Sequence, residues 1–439
     1  MTDGDMEYRH SVSIQTKMTK ECDVLIVGAG IGGLTLALSL HQAGISCRIY
    51  EAVSEIKPLG AGINVLPHAV RVLDGLGLMD KLAAIGITTK ESIFFNKFGQ
   101  FVFSEPAGRL AGYDWPQFSI HRGDLQAILM HAVRERLGSD AVVLGHKCTG
   151  VEQDREGVTA HFVRQDGSAL DPARASVAVA CDGIHSAVRK QLYPEEGAPR
   201  YSGVNMWRGT ARMKPFLSGA SMVRAGWLSV GKMVIYPIRD AIDAEGNQLV
   251  NWVAEIESPQ PAQRDWNGRG RLEDFFPAFA DWHFDWLDVA GLIQSTDTIL
   301  EYPMVDQDPL PRWSFGRITL LGDAAHPMVP RGSNGAGQAI LDAPCLTEQL
   351  KRHGIGEQAL TEYDRIRVKA TGDVVLMNRK APPDTILKVV HERTDGKPFG
   401  KIDDVISRDE LLEISNRYKN VAGFKVEDLQ KQAPEKTVG

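Results

Sequence analysis

An unbroken apolar run at 24–27 passes straight into Gly28-Ala-Gly30-Ile-Gly32-Gly33, and residues 34–40 carry a helix that stops at Gly44. A second short apolar stretch at 47–50 ends on Glu51. The order strand, glycine turn, helix, strand, acid constrains this chain more than any other feature in it. The run before the turn has the continuous apolar character of a buried parallel strand. Gly28 permits the tight turn, Gly30 lets a pyrophosphate approach the backbone, and Gly33 lets the helix pack on the strand, with Gly32 in the same turn. The helix start then offers free N–H groups and a partial positive charge to phosphates. Glu51 is placed to accept hydrogen bonds from a ribose. A carboxylate there repels a 2′-phosphate, so the expected dinucleotide is FAD or NAD rather than NADP.

The chain has 439 residues, enough for a large core and two domains. Its net charge of −7 argues against nucleic acid or an anionic membrane as the main partner. Cys22, Cys47, Cys148, Cys181 and Cys345 are odd in number and scattered, which reads as buried free thiols in a reducing compartment. No His or Cys spacing points to a metal. No apolar run reaches membrane-spanning length, so a cytoplasmic location is expected. Residues 1–19 are polar and patternless and read as a mobile extension.

After Glu51 the pattern predicts a helix through Leu76, a hairpin across 93–103, and a helix to Leu137 with Asp124 as its N-cap. Strands follow at 142–144, 151–153, 159–163 and 177–180. Between about 204 and 302 the character changes: Trp207, Trp227, Trp252, Trp266, Trp282 and Trp286 gather there, with strand-like alternation at 233–237 and 248–256 and a helix expected at 272–279. Another buried strand at 318–321 precedes helices at 336–351 and 360–377, and a charged helical stretch closes the chain. The expected fold class is α/β: a Rossmann-like dinucleotide-binding domain (20–200 and 303–377), an inserted, mainly antiparallel β-sheet substrate domain (201–302) and a C-terminal helical extension (378–439).

Two further stretches join the glycine turn. One is Cys181-Asp182-Gly183. The other is Gly322-Asp323-Ala-Ala-His326-Pro327, followed by Arg331-Gly-Ser-Asn-Gly335-Ala-Gly337-Gln-Ala-Ile-Leu-Asp342-Ala. With these three motifs in this order, residues 22–377 resemble the single-component FAD-dependent aromatic hydroxylases, similar in fold to para-hydroxybenzoate hydroxylase. The GSNGAGQAILDA run, the Trp207-Arg208-Gly209 step and the HERTDGKPF stretch look most like the branch containing the phenazine-modifying flavin monooxygenases.

The resemblance implies FAD as cofactor, with Asp323 on the ribityl hydroxyls, Asp182 shared between cofactor and nicotinamide, and Arg122 near the pyrophosphate, with Gln126 one helical turn on. Gly322, Gly335 and Gly337 fall in loops beside the flavin, and the helix behind the last two would stabilise negative charge near N1. His326 and Arg189 read as structural. Trp207, Arg208 and Tyr236 lie on strands that face the flavin ring in the family. Arg208 is suited to pair a substrate carboxylate, and Tyr236 to orient or help deprotonate a ring hydroxyl.

The implied activity is a monooxygenase in which NADH or NADPH reduces FAD. Reduced FAD then takes up O₂ as a C4a-hydroperoxide and hydroxylates an aromatic or N-heteroaromatic small molecule. The expected assembly is a monomer or homodimer. An NAD-dependent dehydrogenase built on the first motif alone, or a non-catalytic flavin-binding protein, are the competing readings.

Overall fold

The computed structural model describes residues 20–57, 60–259, 268–423 and 425–431. The expected extension at 1–19, Trp266 and the last eight residues lie outside them. The glycine turn sits where the sequence puts it, between the strand Cys22–Val27 and the helix Ile31–Gln42. That strand runs parallel to Cys47–Tyr50 on one side and to the long strand Ala169–Ala180 on the other. Ala169–Ala180 has two further partners. Its first half pairs antiparallel with Val158–Val163, and its last residues pair parallel with Ile318–Leu320. Val24, Leu25, Ile26, Val177, Ala178 and Val179 are all essentially inaccessible, which explains the unbroken apolar runs. The helix Gly335–His353 packs on Ile31–Gln42, and a Cβ on Gly32 would stand 3.4 Å from that of Ala339.

A second sheet of seven strands runs in the order Leu300–Asp306, Arg200–Met213, Gln248–Glu257, Gly231–Arg239, Ser221–Trp227, Glu91–Phe95, Phe101–Pro106. The hairpin formed by the last two strands therefore comes from the first half of the chain, and its pairing with Ser221–Trp227 is parallel. Alternate residues of this sheet face two different layers. Trp207, Val250, Trp252, Met233 and Ile235 point into an outer core with Phe275, Phe279 and Trp282. The helix expected at 272–279 is instead two single 3₁₀ turns, Leu272–Asp274 and Phe276–Ala278, with Pro277 in the second. Proline supplies no N–H and clashes with a preceding helical turn, so no longer helix forms.

The closing segment is helical as expected, with Thr385–Arg393, Arg408–Ala422 and Val426–Lys431. Its attachment is ionic as well as apolar. Asp384, nearly inaccessible, lies 2.5 Å from Lys232 and 3.0 Å from Arg224, both on the second sheet, and Lys232 also binds Glu255 at 2.9 Å. Buried charges persist only when paired in this way. No helix among the described residues is long and apolar enough to cross a membrane.

Candidate functional site

The strands Cys22–Val27, Ala169–Ala180 and Ile318–Leu320 end side by side, with Val27 opposite Ala180 and Ala180 opposite Leu320. The three motifs read from the sequence are the three turns that leave those strand ends, in the crevice where open α/β sheets bind ligands. The glycines of the first turn divide by role. Gly28 has φ +102°, and a Cβ there would lie 2.5 Å from the carbonyl oxygen of Cys181. A Cβ on Gly33 would run into Gly28 O, and one on Gly32 would meet Leu321 at 2.8 Å. These three are fixed by packing. Above Gly30 nothing lies within 4 Å, so this glycine keeps open a face of the turn at the start of a helix.

Glu51 braces the turn it was expected to complement. Its carboxylate accepts from the N–H of Ala29 at 2.7 Å and of Val53 at 3.0 Å, leaving lone pairs for a further donor. Gln126 donates to Ala29 O at 2.9 Å, and exposed Arg122, one turn earlier on Arg122–Leu137, lies along Gly60. Asp124 is not the N-cap: the helix already begins at Arg122, and Asp124 holds Arg239 through both carboxylate oxygens.

In the second turn Asp182 accepts from Ala187 N–H at 2.9 Å through Oδ2, while Oδ1 is buried without a partner. Burial raises its pKa. A buried carboxyl oxygen short of a partner is a site for hydroxyl or amide groups of a ligand. In the third turn Gly322 (φ +65°) donates its N–H to Asp342 at 3.1 Å, leaving the next residue, Asp323, exposed in the crevice. Asp342 also binds His326 and Arg367, each at 2.7 Å. Burial opposes its charge, yet Arg367 and His326 outweigh burial and hold its pKa below the usual range. His326 is thus a structural group, and so is Arg189, which clasps Glu196 and the carbonyls of Ala324 and Ala325. The crevice fits a dinucleotide: an open helix start, a free carboxylate, a carboxylate oxygen lacking a donor and an exposed arginine.

The other end of the site is the inner face of the second sheet. Arg208 and Trp207 are neighbours on one strand, so they cannot share a face. Trp207 stacks on Phe275 in the outer core at 5.1 Å. Arg208 points inward and donates to Gly62 O at 2.8 Å, and its Nε is buried without a partner. Burial lowers its pKa, while Tyr236 and Tyr302 act the other way. Burial pushes Tyr236 up to about 12 despite Arg208 and Arg224, so at neutral pH its hydroxyl is a donor and not a base. Sequence reasoning missed Asn251, directly across from Tyr236 and completely inaccessible. It accepts from Gly62 N–H at 2.7 Å, and its Nδ2 has no partner. A polar residue at an inward position of the otherwise apolar 249–254 run was the available signal. Gly62 itself is pinned, since a Cβ would meet Tyr236 at 2.6 Å and Ile238 at 2.7 Å.

Gly335 and Gly337 open the helix Gly335–His353, where a Cβ on Gly335 would meet only Met328, at 3.7 Å, and one on Gly337 would stand 3.0 Å from His68 Nε2. The FAD binding domain family matches residues 21–268 and 289–376. The chain belongs to the FAD-dependent aromatic hydroxylases. Phenazine 1,6-dicarboxylic acid hydroxylase PhzS of Lysobacter antibioticus is 43% identical over 380 residues, covering 85% of this chain and 93% of that one. The 3-amino-4-hydroxybenzoate 2-monooxygenase of Streptomyces cremeus is 33% identical, covering 86% and 91%. Among solved structures, Klebsiella pneumoniae HpxO complexed with FAD and uric acid has the same fold, with a TM-score of 0.69 and 24% identity over 94% of this chain and 95% of that one. This hydroxylase carries FAD as its cofactor, and neither competing reading finds support among these relatives.

Proposed function

We propose that this hydroxylase uses NADH or NADPH and O₂ to add one oxygen atom to an aromatic or N-heteroaromatic acid or phenol. FAD supplies the redox chemistry, accepting a hydride from the nicotinamide and activating oxygen when bound. The chain's own residues position the reactants. The turns at Gly28–Gly30, Asp182 and Asp323 hold the dinucleotide, with Glu51 and Arg122 at the adenosine and pyrophosphate end. The helix start at Gly335–Gly337 faces the flavin and favours negative charge on it. Arg208 pairs with the substrate's carboxylate or phenolate, and Tyr236 orients the ring by donating a hydrogen bond.

The observation that carries this reading is the buried guanidinium Nε of Arg208, a charged donor without an acceptor on the sheet face beside Tyr236 and Asn251. A buried cation short of an acceptor favours an anionic ligand over a neutral one. The relatives named for a phenazine dicarboxylic acid and for an aminohydroxybenzoate support an aromatic acid. The test is NADH and NADPH oxidation with the FAD-loaded protein across a panel of mono- and dicarboxylated benzenes, pyridines and phenazines, with product mass measured. A product heavier by one oxygen atom is the expected result. Failure of every ring acid to accelerate oxidation or to gain oxygen overturns the reading.

A further inference from the structure

The loop before the flavin-facing helix is bent into a shape that a free peptide avoids. Gly332 has φ +78° and Ser333 φ +57°, two consecutive left-handed residues of which the second is not glycine. Such a backbone persists only where surrounding contacts over-determine it. Those contacts come from the far end of the chain. Tyr418, on the helix Arg408–Ala422, is 1% exposed, and its hydroxyl sits in the middle of the loop. Asn334 Nδ2 donates to that hydroxyl at 3.0 Å and to Gly332 O at 3.2 Å. The hydroxyl donates to Asn378 Oδ1 at 2.7 Å, and Asn378 Nδ2 donates to Val329 O at 3.3 Å. The chain Asn334–Tyr418–Asn378–Val329 thus joins the two ends of the loop through two separate helices. Gly332 is obligatory here, because a Cβ would run into the Tyr418 hydroxyl.

We infer that Tyr418 is a positioning residue for the flavin: its hydroxyl clasps residues 329–334 in the bent form that aims the helix start at the isoalloxazine ring. This rests on the reading that the Gly335–Gly337 helix start faces the flavin. It gives the C-terminal segment a task that neither its sequence nor its packing alone reveals. The electrostatic pull of a helix start falls off within its first turn, so a displaced loop changes how strongly reduced, anionic flavin is held relative to oxidised flavin.

The experiment uses full-length protein, its apo form titrated with FAD, and four variants. Tyr418→Phe keeps the ring and removes the hydroxyl. Asn378→Leu removes the hydroxyl's acceptor and serves if Tyr418→Phe does not fold. Ser415→Ala cuts a bond from the same helix to Glu105 that does not involve the loop. Gly335→Leu crowds the helix start itself, where only Met328 lies within 4 Å of the Cβ position. For Tyr418→Phe and Asn378→Leu the expected result is about tenfold weaker FAD binding, the effect of one lost buried hydrogen bond. Reduced FAD should be weakened a further tenfold or so, read as a fall of about 30 mV in the bound flavin's potential. Ser415→Ala should lower thermal stability and leave both values as in the parent. Parent-like FAD affinity and potential in Tyr418→Phe, or in Asn378→Leu, overturn the inference. If Gly335→Leu also leaves both unchanged, the fault lies in the placement of the flavin at this helix.

Discussion

The guanidinium of Arg208 is hydrogen-bonded to the carbonyl of Gly62 across 2.8 Å, so the second sheet grips the strand Gly62–Val65 by its backbone. One arm of the guanidinium is thereby committed and Nε remains without a partner. Arg208→Lys keeps the charge and loses the fork, because an ammonium cannot hold both geometries at once. Its expected effect is weaker binding of the acid that drives NAD(P)H oxidation, by about tenfold to a hundredfold, from a charge-assisted bond of about 1.5–3 kcal/mol. Flavin perturbation titrations with that acid measure it, and an unchanged dissociation constant would remove Arg208 from the ring site.

Gly28 and Gly30, two residues apart, should respond in opposite ways to alanine. Gly28→Ala meets a left-handed φ and the Cys181 carbonyl, so apoprotein stability should fall by about 1–3 kcal/mol or more. Gly30→Ala meets nothing in the folded chain and should melt like the parent, yet bind FAD far more weakly because the new methyl occupies the phosphate's approach. Thermal melts of the apo forms and fluorimetric FAD titrations separate the two. Equal FAD affinity in Gly30→Ala and the parent would place the pyrophosphate elsewhere.

Asp182→Asn should stabilise the apoprotein and weaken FAD binding together. Burial raises the pKa of Asp182, which means the fold disfavours its charge, and an amide relieves that strain while still accepting from Ala187. Asp323→Ala, at an exposed position, should leave the melt alone and reduce FAD affinity by tenfold or more. A destabilised Asp182→Asn apoprotein would contradict the first expectation.

Acid sensitivity should begin well above the carboxylate range. His68, inaccessible, is lowered to about 3 by burial, with Arg367 and Arg71 adding to the effect and Asn334 opposing it. Unfolded, an imidazole titrates near 6.5, so below that pH the unfolded chain takes up a proton that the fold refuses. Stability is therefore complete above about pH 6.5 and falls toward pH 3, by up to about 1.4 kcal/mol per unit from this one group. Urea unfolding between pH 7 and 4.5 should show the slope, and His68→Asn should flatten it. An identical slope in the variant would assign the proton to another group.

The dinucleotide crevice was legible in the sequence because its constraints are local. Each glycine and acid sits within a few residues of a strand end, and the strand ends announce themselves by apolar runs. What escaped depends on partners distant in the chain. Asp124 reads as a helix cap beside its own helix, but Arg239 arrives from 115 residues away and takes both oxygens. Trp207 and Arg208 are adjacent on one strand, so only one of them can face inward, and the outer aromatic core claims Trp207. Tyr418 gave no signal at all, since its partners Asn378 and Asn334 lie 40 and 84 residues upstream.

The hairpin Glu91–Phe95 and Phe101–Pro106 closes the second sheet with strands that end at Pro106, whereas the rest of that sheet begins only at Arg200. Ile93 and Phe95 sit in the outer core, whereas Phe94 and Phe103 pack against Ile386 and Leu387 of the closing segment. Anyone who transplants ring specificity between relatives by exchanging residues 200–306 alone would mate a foreign sheet to a native edge strand and break both cores. In this architecture the exchangeable unit is a pair of segments, the hairpin and the rest of the sheet, joined by the pairing of Glu91–Phe95 with Ser221–Trp227.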